Sequence, residues 1–408
     1  MSYNFDEIVD RTHTQSIKHD FARQRGMGFN AIPLWIADMD FRAPDCIKDA
    51  LIRRANHGIY GYSMENDDYF GAVKHWFHER HGWNVEPHWL VTTPGVLTAV
   101  SVAINVLTKP NDAILVQTPS YDKFNTLVDK NNRRLIKNAL VLKGGTAEEK
   151  EVRPIALGEP YKAHEGAKYE IDFVDFERQI VKNNVKLFLL CSPHNPIGRV
   201  WTVDELTKMG DICLQHGVYV ISDEIFCDFV YAPNHHTVFA GIKQEFLDIT
   251  VTCTAPTKTF NMSGMAIANI FIADDDIRDD FSDKLLAYGM LGSGIVPMLA
   301  CRAAYTDGAE WLDALLVYLS DNVAFVKNFV QEHLPNVSLV EPEGTYMLWL
   351  DFRRFGLWAK ELSVFTAYDA GVLLSGEAGA EGFLRVNAAS PRSVIKKALE
   401  RLAKAVEK

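Results

Sequence analysis

No two of the six cysteines (Cys46, Cys191, Cys213, Cys227, Cys253, Cys301) form a C-x-x-C pair, and they lie far apart in the chain. That spacing excludes a zinc ribbon and a disulfide framework, and it fits buried free thiols in a reducing compartment. Long apolar runs are missing too. Two stretches are free of charge, 89–108 and 285–301. The first holds Pro94, Gly95 and four threonines, the second Gly289, Gly292, Gly294 and Pro297. A membrane span wants about 20 predominantly apolar residues, so both read as buried core helices. Positive charge is in deficit: 42 Lys and Arg face 53 Asp and Glu, a net charge of −11. Nucleic acid, whose phosphates require clustered Lys and Arg, is therefore not an expected partner. The first thirty residues mix acids and bases (Asp6, Glu7, Asp10, Arg11, Lys18, Asp20). This is not the pattern of a signal peptide, and the expected location is the cytoplasm. There is no internal repeat, no low-complexity run, and no G-x-x-x-x-G-K-[ST], G-x-G-x-x-G or G-x-S-x-G motif.

What is present is an ordinary core-forming composition, 48% hydrophobic and 23% charged over 408 residues, enough for two or three domains. Short apolar, β-branched runs recur at 113–116, 187–190, 218–221, 249–252 and 267–272, with amphipathic stretches between several of them. Thr202-Val-Asp-Glu205 is a capping box, after which Leu206, Met209, Ile212 and Cys213 share a helical face and Gly217 ends the helix. Strands alternating with helices predict an α/β fold with a mainly parallel central sheet, whose active residues follow the carboxyl ends of the strands. The polar segment 143–169 reads as a surface insertion. From about residue 291 the pattern changes to long helices, strands at 346–352 and 383–387, and a last helix capped by Ser390 with Pro391 in its first turn. Ile395, Leu399, Leu402 and Val406 are its inward face. The expected division is a large domain of residues 45–290 and a smaller α+β domain made of 1–44 and 291–408.

The cluster His75-Trp-Phe-His78-Glu79-Arg80-His81 is neither H-E-x-x-H nor H-x-x-E-H. It reads as a solvated helix face, and no metal site is expected. Four other features fall at or just after strand ends: Ser192-Pro-His-Asn-Pro-Ile-Gly198, Ser222-Asp223-Glu224, Thr254-Ala-Pro-Thr-Lys258-Thr-Phe-Asn261, and Thr93-Pro-Gly95-Val-Leu97-Thr98. Each alone is a common turn or cap; together they form a chemical set. A lysine in apolar surroundings can form a Schiff base with an aldehyde. A buried aspartate can keep a heteroaromatic nitrogen protonated. A glycine turn at a helix start offers N–H groups and a positive dipole end to a phosphate. Pyridoxal 5'-phosphate requires all three.

In this order and spacing the motifs resemble fold-type I pyridoxal-phosphate enzymes, the class I/II aminotransferase-like family, over nearly the whole chain. The finer likeness is to the cystathionine β-lyase-like carbon–sulfur lyase branch, the MalY/PatB group. It is carried by Asn4-Phe-Asp6, Leu34-Trp-Ile-Ala-Asp38-Met-Asp40-Phe41, Tyr60-Gly-Tyr62-Ser63, Pro119-Ser-Tyr121, the 193–198 turn, Ser222-Asp-Glu-Ile225, Thr257-Lys258-Thr-Phe-Asn261 and Phe383-Leu-Arg385-Val-Asn387. The resemblance implies that Lys258 joins the cofactor aldehyde and then shuttles protons at the substrate Cα, with Tyr121 a second candidate proton donor. Asp223 would pair with the pyridine nitrogen, Asn195 with the ring hydroxyl, and Tyr121 would stack on the ring. Val96 and Leu97 N–H groups and Thr257 would meet the phosphate, as would Tyr62 from a neighbouring subunit, which implies a homodimer. Arg385 would clamp the substrate carboxylate, with Asp38 and Asn195 also facing the substrate. Trp35 and Tyr346 read as packing residues.

Two positions depart from the pattern. Phe226 stands where related enzymes carry Tyr or His, which throws weight onto Asn195. Ala266 stands where many transaminases carry a phosphate-binding Arg. The implied reaction is α,β-elimination from a small amino-acid substrate, L-cystathionine or a related cysteine S-conjugate. The competing reading is an aminotransferase built from the same residues. Members of this branch can also bind a protein partner, but nothing in the sequence marks such a surface.

Overall fold

A computed structural model describes residues 3–21, 30–144, 166–290, 292–377 and 379–406. The short strand β1 (Ile32–Pro33) is followed by α1 (Asp45–His57) and α2 (Asp67–His81). Then come β2 (Leu90–Thr93), α3 (Val96–Leu107), β3 (Ala113–Thr118), α4 (Asp122–Lys130), β4 (Arg134–Ala139), β5 (Val141–Lys143) and β6 (Lys168–Glu170). The middle of the chain continues through α5 (Phe173–Asn183), β7 (Val185–Cys191), α6 (Val203–Gln215), β8 (Tyr219–Asp223), α7 (Gln244–Leu247), β9 (Thr250–Thr254), α8 (Pro256–Thr259) and β10 (Ala268–Phe271). The last part holds α9 (Asp275–Ala287), α10 (Ile295–Asp307), α11 (Ala309–His333), β11 (Ser338–Leu339), β12 (Met347–Asp351), α12 (Ala359–Tyr368), β13 (Val372–Leu373), β14 (Phe383–Asn387) and α13 (Arg392–Val406).

Seven strands form one sheet in the order β2-β10-β9-β8-β7-β3-β4. The β4-β3-β7-β8-β9 ladders are parallel, as the apolar runs predict. Only β10 runs against both neighbours. The link from β9 to β10 holds no helix longer than the single turn of α8, too short to cross the sheet, so the chain returns antiparallel. Because β10 opposes both β2 and β9, those two point the same way, and the carboxyl ends of β2, β3, β7, β8 and β9 share one edge. The sheet is buried on both faces: β3, β7 and β9 are buried almost throughout, and α3 packs Val96, Ala99, Val100, Ala103 and Ile104 into the same cluster as Ile221, Val251 and Ile270. Fully burying one such Val or Ile stabilises the fold by roughly 1.5–3 kcal/mol before entropy is counted.

The capping box forms as read: Thr202 Oγ1 accepts from Glu205 N–H, and the Glu205 carboxylate accepts from Thr202 N–H. Leu206, Met209, Ile212 and Cys213 are all buried. The insertion read at 143–169 falls largely outside the described residues; its ends pair as the antiparallel β5-β6. A second sheet, β11-β12-β14, carries the late strands at nearly the positions expected. β1 pairs in parallel with β13, which brings the N-terminal segment to the C-terminal part of the chain. Ser390 differs from its expected role. Its hydroxyl donates to Asp40 at 2.6 Å, and the helix it precedes begins with Val394 and Ile395 N–H donating to Pro391 O. Ile395, Leu399 and Leu402 face inward, with Val406 half-buried.

The helix-face reading of the histidine cluster is only partly right. His75 and His78 are exposed, but His81 turns inward at the helix end, with Nε2 3.0 Å from the buried Asp228 carboxylate. Trp76 Nε1 and Thr259 Oγ1 donate to the same carboxylate. Cys227 lies beside this pair, but the aspartate is already satisfied by protein donors. All six cysteines are free, and five are buried. Among the described residues no helix is long and apolar enough to cross a membrane.

A buried ion network ties the two sheets together. Arg199 Nε donates to Glu343 Oε2 at 2.7 Å and its Nη2 to both Glu205 oxygens, and Glu343 also receives Val200 N–H and Lys168 Nζ. Gly344 lies so close to Phe229 O that a Cβ there would sit 2.7 Å from it. Removing one partner of such a network strands a buried charge, so Glu343→Ala is expected to destabilise the protein by about 3 kcal/mol. A chemical-denaturation midpoint that falls at unchanged slope checks this.

Candidate active site

Register places the predicted residues side by side. In the sheet Asp223 pairs with Cys191 on one side and Cys253 on the other. Asn195 follows Cys191 by four residues and Lys258 follows Cys253 by five, so both emerge from the edge where Asp223 ends β8. The turn carrying Asn195 is pinned at several points. His194 N–H donates to Arg199 O and Gly198 N–H to His194 O, both at 2.8 Å, while Trp201 Nε1 donates to Cys191 O.

Asp223 is buried, and among the described residues the one hydrogen bond to its carboxylate comes from Ile225 N–H at 3.1 Å. Burial pushes its pKa up to about 7; the Ile225 N–H opposes, the Glu224 charge adds to the rise, and the Lys258 charge opposes. A carboxylate so placed favours a ligand that brings its own positive charge. Lys258 is half-buried in α8, its Nζ donating to Ala37 O at 2.6 Å and Ser263 Oγ at 3.3 Å. Burial pushes its pKa down to about 8, with Asp38 opposing, Arg385 assisting and Asp223 opposing. This keeps a substantial neutral fraction near pH 8, which a nucleophilic amine requires.

The carbonyl that receives Lys258 belongs to a segment laced by two asparagines of the quoted motifs. Asn261 Nδ2 donates to Met39 O and Phe41 O while its Oδ1 accepts Met39 N–H. Asn387 Nδ2 donates to Ile36 O and Asp38 O. Asp38 itself pairs with Arg11 at 2.7 Å, and Arg11 and Lys18 both reach Asp40. Arg11 and the fully buried Lys18 were not legible as site residues, since in the sequence they only break up an N-terminal charge pattern. One of Asp38's oxygens, Oδ1, is buried without a hydrogen-bond partner.

Arg385 projects from β14 with Nη1 donating to Asn195 Oδ1 at 2.9 Å and Nη2 to Trp35 O at 3.3 Å; its buried Nε has no hydrogen-bond partner. Glu377, which the sequence reading missed, forms an ion pair with Arg385 at 2.6 Å. Tyr121, just beyond β3, is within electrostatic reach of Arg385, Glu377 and Asp223, and burial raises its pKa. On the β2 side, Gly95 adopts φ +102, a conformation that L side chains rarely take, and nothing lies within 4 Å of where a Cβ would stand. The turn therefore opens onto free space, and α3 begins there with Val96 and Leu97. Their N–H groups belong to the first helical turn, which has no intrahelical acceptors. Thr257 is buried in α8 beside Lys258.

Lys258, Asp223, Asn195, Arg385, Tyr121, Asp38, Thr257 and the Gly95 turn are thus gathered on one edge. Tyr62 is not: it stands fully exposed in the 58–66 loop near exposed Ile59, Tyr60 and Met64. Phe226 packs its ring against Phe229 and Tyr346, and Tyr346 donates from its hydroxyl to Ala37 O at 3.3 Å. Tyr346 therefore does more than pack, because it shares the acceptor used by Lys258.

The family model described as "Aminotransferase class I and II" matches residues 147–402. Cystathionine beta-lyase PatB of Bacillus subtilis (strain 168) is 38% identical over 403 residues, covering 98% of each chain. Protein MalY of Escherichia coli (strain K12) is 32% identical over 411 residues, covering 99% of each. The crystal structure of cystalysin from Treponema denticola, which contains a pyridoxal 5'-phosphate cofactor, superposes with a TM-score of 0.91 at 33% identity, covering 100% of this chain and 99% of that one.

The lowered pKa gives a direct test. Reductive alkylation by a small aldehyde and cyanoborohydride requires a neutral amine. In protein freed of any bound aldehyde, labelling of Lys258, read by peptide mapping, is expected to rise as pH passes about 8 and to level off there. Exposed lysines, with pKa near 10.4, should continue to gain label well above that pH.

Proposed function

Since this chain belongs to the class I and II aminotransferase family, we propose that it is a pyridoxal 5'-phosphate-dependent carbon–sulfur β-lyase. It cleaves L-cystathionine or a related cysteine S-conjugate, with one water consumed, to pyruvate, ammonia and a thiol, which is homocysteine when cystathionine is the substrate. The observation that carries this reading is the set formed by Lys258, Asp223, Asn195 and Arg385 at one sheet edge. Full-length similarity to proteins named for cystathionine cleavage adds to it.

The residues suit the cofactor. Asp223 is a buried carboxylate short of donors, Lys258 an amine that burial makes partly neutral, and the Gly95 turn a start of helix with free N–H groups and room before it. When bound, the cofactor supplies an aldehyde for amines and a ring that accepts electrons from Cα. Asp223 would hold a proton on the ring nitrogen, and Asn195 would donate to the ring hydroxyl. Tyr121 would lie against the ring; Val96 and Leu97 N–H groups and Thr257 would bind the phosphate, with Ala266 contributing no charge. Arg385 orients the substrate through its carboxylate, while Asp38 and Asn195 flank it. Lys258 takes the Cα proton and, with Tyr121, can return one to the sulfur as the Cβ–S bond breaks. Loss of the Cβ substituent, rather than exchange of the amino group with a 2-oxo acid, would separate this reaction from transamination.

The proposed division is a cofactor-binding domain of residues 45–290 and a smaller one of 1–44 with 291–408; the β1-β13 pairing supports the join of the two ends. The proposed assembly is a cytoplasmic homodimer in which the partner subunit's Tyr62 completes the phosphate site. The full exposure of this tyrosine among Ile59, Tyr60 and Met64 supports that contact.

Purified protein given L-cystathionine is expected to release pyruvate and free thiol with no 2-oxo acid added. Lys258→Ala should abolish this and remove the visible absorbance that borohydride bleaches in the parent. Turnover only in the presence of a 2-oxo acid would instead mark an aminotransferase. Tyr62→Phe should weaken cofactor retention during dialysis by about tenfold, as expected for losing one charge-assisted hydrogen bond. The variant should still sediment as a dimer.

A further inference from the structure

The guanidinium assigned to the substrate carboxylate already has a carboxylate of this chain beside it. Glu377 Oε1 lies 2.6 Å from Arg385 Nη1, and their side chains are 4% and 6% exposed. The backbone sets this up. Ser375 forms an antiparallel bridge with Arg385, whose N–H donates to Ser375 O at 2.7 Å. Residues two apart on extended backbone share a face, so Glu377 comes to the same side as the guanidinium. Its second oxygen is anchored too, accepting Asp122 N–H at 3.0 Å in the first turn of α4. Asn195 shares Nη1 with Glu377, Trp35 O accepts from Nη2, and Nε is left without a hydrogen-bond partner. The cation is therefore neutralised internally, at the position where the mechanism needs it to meet an incoming anion.

We propose that Glu377 is a specificity-determining residue: an internal carboxylate that the substrate carboxylate must displace from Arg385. The inference rests on the assignment of Arg385 made above. A second carboxylate on Arg385 would face Glu377 at close range, and their repulsion opposes its binding; Arg199 carries two carboxylates with a second cation, Lys168, on Glu343. A ligand thus binds only as well as it outcompetes Glu377, and the competition weakens every ligand that relies on its carboxylate alone. The same penalty falls on every carboxylate ligand, so only one that adds contacts through its amine and side chain binds usefully, which is how a built-in competitor sharpens selection. The alternative role for Glu377, holding the guanidinium in place for the substrate, predicts the opposite sign when its charge is removed.

The test uses the holoenzyme and two simple probes, propionate for the carboxylate and propylamine for the amine. In Glu377→Gln the inhibition constant for propionate and KM for L-cystathionine are expected to fall by about tenfold, the effect appearing in KM rather than kcat. The constant for propylamine should not tighten. Glu377→Ala serves as a second variant, and both are compared with the parent for melting temperature and visible absorbance. Unchanged or weaker propionate binding in the folded variants overturns the proposal, and so does an equal gain for propylamine, which would mean a generally opened site. A protein that never acquires the cofactor's visible band refutes the lyase reading itself. A coloured, active enzyme whose propionate constant does not tighten refutes only the role of Glu377.

Discussion

Asp223 and Lys258 occupy a space that disfavours charge on either of them. Burial raises the carboxyl toward pH 7 and lowers the amine toward pH 8, so each is held near the point where it gives up or takes a proton easily. That condition depends on excluding water at the end of the parallel sheet while keeping fixed charges at chosen distances. Asp38 and Asp223 pull the amine's pKa up and Arg385 pushes it down. The sheet register, the turn holding Asn195 and the laced segment before α1 all serve to keep these charges where they are.

The lacing explains residues whose presence in the motifs is otherwise arbitrary. Asn261 and Asn387 never face Lys258 themselves; they hydrogen-bond the backbone of 36–41 from two directions, fixing the Ala37 carbonyl that Lys258 meets. An amide suits this work because it offers donors and an acceptor at one place, and Asn261 uses both. The charged layer beneath is sterner. Lys18 has no exposed side-chain surface, and its ammonium lies 2.7 Å from Asp40, which also receives Arg11 and Ser390. Desolvating an ammonium costs several kcal/mol unless its partners compensate. The N-terminal segment therefore docks only when all of these partners are assembled.

Much of this was legible because the physics is local. Apolar runs of four to six residues on both-sides-buried strands declare a parallel sheet, and the strand ends point to the polar residues that follow them. The Thr202–Glu205 box and the β14 strand lie where pattern alone puts them. Other features depend on pairings between distant segments. His81 looks like one more polar residue on a helix until Asp228, 147 positions away, accepts its ring nitrogen. The antiparallel entry of β10 follows from a short connection whose path no periodicity encodes. Glu377 is one of two acids, with Glu381, in a glycine-containing loop, and only the Ser375–Arg385 bridge reveals what it faces.

The same logic bears on Phe226, where a hydrogen-bonding side chain was expected. Its ring is packed edge-on against Tyr346, whose hydroxyl is directed to Ala37 O, and Phe229 lies close by, so position 226 itself offers no donor. In the proposed site Asn195 is then the group that would address the cofactor hydroxyl, and its orientation is not free. Arg385 has only donors, so the atom facing Nη1 at 2.9 Å must be the amide oxygen, and the NH2 is turned away as the available donor. In the proposed site one amide would therefore serve two neighbours, its oxygen held by the guanidinium of Arg385 and its NH2 left for the cofactor hydroxyl. A histidine or tyrosine at position 226 would have divided the second task between two residues.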